Sequence, residues 1–237
     1  FIPISIIGIL LIGVVHYALP ETKNPTTRKE SFTVIIKNMA HTYARLLKIP
    51  RFSAYALMPG CLSGVFFANA TASAFLAKEA LGLSTELFGV WFLWMPLGFM
   101  LGNLISGQIG DRISIGTMTI GGAGFCLIIV FAQWIWFENF GLSIGGIMIP
   151  GAALGIAQGM CMPYAQTGAM RVNPSYAGSA SGAVVFSQLF LAGAAEQSVG
   201  FLSDGTLTPV LFVMLGFSII AISAAIFAQV TLIKDSQ

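Results

Sequence analysis

The chain has 237 residues, 56% of them hydrophobic and 8% charged, with a net charge of +2 and a mean hydropathy of +0.86. A soluble domain carries about 25% charged residues, so this composition excludes a water-soluble globule and points to a protein that crosses a membrane several times. Nucleic acid is excluded as a partner, because no basic, aromatic-interleaved patch occurs.

Seven apolar segments approach the ~20 residues that a helix needs to cross a bilayer. They cover residues 1–19, 53–77, 84–108, 115–137, 143–169, 178–202 and 208–233. Strand alternation is absent, so the predicted fold is an all-α membrane protein. The chain opens with Phe1 inside an apolar run, which reads as a fragment. Residues 1–19 are then the last helix of a preceding bundle, closed by Leu19-Pro20-Glu21-Thr22.

Residues 20–52 form a basic linker. From Ser31 to Ile49, Val34, Ile35, Met39, Tyr43, Leu46 and Leu47 recur at helical spacing, with Lys37, Arg45 and Lys48 among them. That pattern predicts a basic amphipathic helix on the membrane surface; a calmodulin-type target helix fits the same pattern. Residues 53–237 supply six spans.

In the second span Asn69 has Phe66 one turn before it and Ser73 one turn after. In the third, Trp91 and Trp94 are predicted to share a face. Further along it, Gly98, Gly102 and Ser106 form a small-residue face suited to close packing in lipid. This span ends in a short polar corner, Gly107 to Arg112, before the fourth begins. So short a turn makes the two helices antiparallel neighbours. Asp111 and Arg112 are either a solvated loop pair or a hinge that locks one state of a moving protein, with Gly107 part of the hinge.

The fifth span carries Gly151, Gly155 and Gly159 at every fourth position, together with Pro150 and Pro163. Packing explains the glycines; a bending helix explains glycines and prolines together. Gln158, Met162 and Gln166 share one of its faces. In the sixth span Gln188, Ala192, Glu196 and Gly200 make a narrow stripe of polar and small residues. Glu196 is an acid six residues, or ~9 Å of helix rise, from the end of that span. It faces a cavity or anchors the helix at the interface. Amides can glue helices together. Taken as a set, Asn69, Gln158, Gln188, Glu196, Phe66 and Trp94 describe a substrate cavity for greasy, variable ligands. Between the two halves of the six-span region no sequence repeat is legible, although inverted repeats in transporters are often faint.

Of the eleven basic residues, all but Lys78 fall on one side of this arrangement. The positive-inside bias therefore places the linker and the C-terminus in the cytoplasm. The three cysteines, Cys61, Cys126 and Cys161, lie inside apolar segments without a CxxC, which reads as buried thiols. Enzymatic chemistry finds no support. Gly141-Leu-Ser143-Ile-Gly145 matches G-x-S-x-G, but His16 and His41 lie on the other side of the membrane from Ser143. Metal-ligand clusters, phosphate loops and dinucleotide fingerprints are absent, so no metal or cofactor is expected. A seven-span receptor with its N-terminus outside is the alternative that span count and orientation also permit.

Several stretches are similar to one family. Leu19 to Thr22 resembles the close of its sixth span. Ala40 to Phe52 resembles the central-loop helix leading into span seven. Leu81 to Ser84, followed by Phe88-Gly89, resembles the entry to span eight. Gly107, Asp111 and Arg112 match the start of the loop motif between spans eight and nine, and Ala177 to Gly182 resembles the start of span eleven. The chain thus resembles the C-terminal half of the major facilitator superfamily, in its drug:proton antiporter group with bicyclomycin- and chloramphenicol-efflux members. Where the family loop continues with glycine and basic residues, this chain has Ser114, Ile115 and Gly116. The resemblance implies a multi-pass protein of the inner membrane that exports amphipathic small molecules by proton antiport. It also implies an N-terminal half of the same transporter as partner, and places the proton-carrying groups mainly there.

Overall fold

The computed structural model describes residues 2–18 and 32–235. These fall into two units, residues 1–38 and 39–237. The first holds α1 (Ile2–Ala18) and the opening of α2 (Phe32–Leu47). At 17 residues α1 is a short apolar helix and falls below the length of the six segments that can cross a membrane, so six of the seven expected spans are found at full length. The close expected at Leu19 to Thr22 lies outside the described residues.

The second unit contains the end of α2, then α3 (Pro50–Glu79), α4 (Thr85–Phe92), α5 (Trp94–Ile109), α6 (Ile115–Phe140), α7 (Ile144–Val172), α8 (Ala177–Leu202) and α9 (Thr208–Asp235). Here α4 and α5 together make one span, so this unit has six helical segments long and apolar enough to cross a membrane. The α3 helix begins at Pro50, three residues before the expected boundary. Proline is pre-shaped for a first helical turn, where its missing N–H costs nothing. The break between α4 and α5 falls at Leu93, three residues before Pro96. Proline cannot donate to the carbonyl of Phe92, which interrupts the ladder.

Glycine followed by serine makes several of the turns. Gly82, Gly110 and Gly141 all have positive φ, a backbone shape that costs glycine nothing. Ser84, Ser114 and Ser143 then cap α4, α6 and α7 by accepting a backbone N–H at 3.1–3.3 Å. The G-x-S-x-G string is therefore a helix stop followed by a helix start.

The packing within this unit is a repeat of two triplets. The α3 helix packs on α8 and α9 as α7 packs on α5 and α6, while α3 meets α7 and α6 meets α9. Burial follows the same pairing. It covers 72% and 56% of the most apolar stretch of α3 and α7, 44% in both α6 and α9, and 17% and 22% in the α4–α5 span and α8. Short connections alternate the helix directions, so the second triplet is inverted relative to the first. The repeat that the sequence hides is thus plain in the packing.

The core runs along α3 and α7 and holds Met58, Leu62, Val65, Leu154 and Cys161, all at or below 2% exposure. All three cysteines are buried and unbridged. Among the described residues, every fully buried polar side chain is an amide or a hydroxyl.

Candidate functional site

Glycines bring α5 and α7 together. A Cβ on Gly98 or Gly102 would strike the backbone of Ala152 or Ile156, and one on Gly155 would sit 2.7 Å from the carbonyl oxygen of Met95. Gly159 faces Phe99 and Asn103 in the same way. The two small-residue faces expected on separate spans are therefore the halves of one seam.

That seam aligns the polar corner with the end of α7. Gly110 to Arg112 form a short 3₁₀ turn, and the Tyr164 hydroxyl donates to the carbonyl of Gly110. Arg171, in the last turn of α7, approaches Asp111 with Nη2 to Oδ1 at 3.9 Å. The partner of Asp111 is thus sixty positions on, and Arg112 takes no part. Gly107, Asp111, Tyr164 and Arg171, with Asn103 and Ser106, line a polar cleft of about 340 Å³. Both charged side chains are exposed, at 62% for Arg171 and 102% for Asp111, so the ion pair alone adds little stability.

The amides lie deeper. Asn69 is fully buried; its Oδ1 accepts from Gln133 Nε2 at 3.0 Å and its Nδ2 donates to the carbonyl of Ile147 at 3.4 Å. It therefore ties α3 to α6 and α7. Gln158 donates to Ser63 Oγ at 2.8 Å, which joins α7 to α3, and its own Oε1 is buried without a partner. Gln166 donates to Ser181 at 2.7 Å and joins α7 to α8. Phe66 is half-buried against the core. The Leu93 break separates the two tryptophans expected on one face: Trp91 packs partly against Met95 and Met148, whereas Trp94 is 57% exposed.

The α8 stripe is graded. Gln188 and Ala192 are buried, Glu196 is partly exposed and Gly200 is exposed. Steps of four residues drift about 40° around a helix, so a stripe that starts inside turns outward. Glu196 accepts from Thr71 Oγ1 of α3 at 2.8 Å.

At the opposite end of the α3–α8 contact an apolar cavity of about 660 Å³ opens. Tyr43, Leu47, Ser53, Leu57, Phe186 and Phe190 line it. The two phenylalanine rings stack at 5.7 Å, and a Cβ on Gly182 would sit 3.3 Å from the Tyr43 hydroxyl. None of the six residues expected to form a substrate cavity lines this one. The amide nitrogens of Asn69, Gln133, Gln158 and Gln166 donate to neighbouring helices, and the open volume falls to aromatic and aliphatic side chains instead. Sequence spacing had marked Tyr43 as apolar-facing. Phe186 and Phe190, one turn apart on α8, carry the further signal.

Residues 1–196 match the family profile described as Major Facilitator Superfamily. A Bacillus subtilis (strain 168) protein described as the uncharacterized MFS-type transporter YdgK is 31% identical over 110 residues. That match spans 46% of this chain and 27% of the relative. No solved structure matches the chain.

Proposed function

The chain belongs to the major facilitator superfamily, and on that premise we propose that it serves as one half of a secondary transporter that exports amphipathic small molecules in exchange for protons. Membership in a transporter family removes the receptor alternative. The observation that carries the proposal is the 660 Å³ cavity. Its size falls within the 300–1,000 Å³ of small-molecule sites, and its lining is apolar with a few hydroxyls. Such walls hold a greasy molecule by contact area rather than by a fixed set of hydrogen bonds, which suits variable substrates.

In this reading Phe186 and Phe190 grip the apolar part of the substrate. Glu196, on the same helix and bonded to Thr71, is the counter-ion for a cationic group. Gln158, whose Oε1 is unpartnered, and Asn69, Gln188 and Phe66 set the spacing of the helices around the path. Gly107, Asp111 and Arg171 form the latch that holds one access state. The basic linker and the C-terminus lie in the cytoplasm, and the other half of the path comes from an N-terminal bundle of the same transporter.

The test is efflux from cells producing the full-length transporter at matched levels, using one cationic and one neutral amphipathic dye. Phe186→Ala is expected to impair export of both dyes. Wild-type export of both by the Phe186→Ala, Phe190→Ala double variant would refute the cavity as the substrate site.

A further inference from the structure

A second apolar cavity, of about 620 Å³, lies between α3 and α9. One wall runs from Lys48 and Pro50 past Ala54 to Leu57, and the other from Phe227 to Ile219 and Ile220. Pro50 to Leu57 and Ile219 to Phe227 each cover about 10–12 Å of helix rise. The space is therefore a trough along the helix axes.

The mouth of the trough is basic and its floor is dry. Lys48 lines it, and Arg45 is exposed three residues earlier, near the end of α2. The sequence has no acid from Ser31 to Lys78 or from Thr208 to Lys234, so nothing along either wall offsets this charge. Deeper in, the two serines of the walls are already engaged with the backbone. Ser53 Oγ donates to the carbonyl of Leu47 at 2.8 Å, and Ser223 Oγ to that of Ile219 at 2.7 Å. A ligand that needs hydrogen-bond donors would find both hydroxyl hydrogens already spent. An acyl chain needs none.

We infer that this trough binds an anionic phospholipid, with its phosphate at Lys48 and Arg45 and one acyl chain laid between α3 and α9. A basic pocket beside spanning helices at the membrane surface suits such headgroups. The amphipathic end of α2 lies at the same mouth, so the bound lipid would pin the α2–α3 junction to the leaflet. The trough adjoins the first cavity, with Leu47, Ser53 and Leu57 lining both, but Ile219, Ile220 and Phe227 line only the trough and Phe186 and Phe190 only the other cavity, so the two readings can be tested apart.

The experiment is native mass spectrometry of the full-length protein titrated with phosphatidylglycerol, phosphatidylcholine or glycerol 3-phosphate. The wild type is expected to retain phosphatidylglycerol in preference to phosphatidylcholine. One basic side chain at an anionic surface is worth about fivefold in binding, so Lys48→Gln should weaken phosphatidylglycerol binding by about that factor. Ser223→Trp should fill the trough and remove the preference. Lys78→Gln, at the far end of α3, should leave binding unchanged. Equal retention of the two lipids by the wild type would overturn the inference. So would wild-type binding in Lys48→Gln, an exposed change that does not threaten folding. Displacement of the lipid by glycerol 3-phosphate at equal concentration would show a free-phosphate site instead and would also overturn it.

Discussion

The α5–α7 and α3–α8 contacts occupy equivalent places in the two inverted triplets, yet they are built differently. The first is closed by glycines from both helices, and what lies against those glycines is largely backbone. The second has Gly60 facing the side chains of Leu191 and Ser187 as well as the Ser187 carbonyl, and it opens at one end into the 660 Å³ cavity. Backbone cannot move aside; side chains can change rotamer. The same helix arrangement therefore gives a fixed seam in one triplet and an adaptable one in the other, and the cavity proposed for substrate lies at the adaptable one.

The sharpest way to break this comparison is to add bulk to both seams. Gly102→Val should cost about 3 kcal/mol or more, because the new side chain meets backbone, and thermal unfolding in detergent would show it as a loss of folded protein. Gly60→Val should cost less, about 2 kcal/mol, because Leu191 and the Ser187 hydroxyl can yield and only the Ser187 carbonyl, 2.9 Å from the new Cβ, has to shift. Equal losses from the two would abolish the distinction.

Next in size is the effect on transport. Glu196→Gln should impair export of a cationic dye severalfold and spare a neutral one, measured as initial efflux rates. Loss of both would make Glu196 a proton carrier, and loss of neither would leave it an interfacial anchor. On the fixed side, Asp111→Asn should slow efflux of both dyes while the melting temperature stays at the wild-type value, because an ion pair in water stabilises little. Arg171→Gln should do the same and Arg112→Gln should not, since only Arg171 reaches Asp111.

The smallest effect lies outside both seams, in the α8–α9 loop. Hydrogen bonds from the Thr206 hydroxyl and N–H hold the Asp204 carboxyl below its usual range. A lowered pKa means that the ionised form is the one stabilised. Its contribution is complete above the ordinary carboxylate range and disappears as pH falls through the lowered value. The protection of the Thr206 amide, its exchange rate relative to the intrinsic rate at each pH, should be present at neutral pH and lost in strong acid, and Asp204→Asn should remove that change in protection.

Much of the fold is legible in the sequence because lipid demands long apolar helices and every break needs a visible cause. Pro50 and Pro96 are such causes, although hydropathy alone starts α3 three residues late and runs 84–108 as one segment. The glycine faces of α5 and α7 are also legible, one at a time. Their pairing is not, because spacing within a helix carries no information about register between helices. For the same reason Asn69 reads as a polar group in an apolar segment, with nothing to say that Gln133 is its partner. Sequence spacing groups the amides around a cavity; the structure has Asn69 and Gln158 bonded across helices and neither on the wall of the 660 Å³ cavity, because burying an amide is costly unless it is hydrogen-bonded. Phe186 and Phe190 are not legible as a cavity wall, because among 19 phenylalanines ring content alone does not separate a cavity wall from a lipid-facing surface.

The three buried thiols have an experimental consequence. A water-bound maleimide reacts only with a thiolate that it can reach. Cys61, Cys126 and Cys161 are at most 2% exposed within apolar helices, so the wild-type chain is a labelling blank. Single cysteines at Ile113 and Asn139, at the two ends of α6, can then be introduced without rebuilding the core, and the side from which each reacts reports which face of the membrane the polar corner occupies.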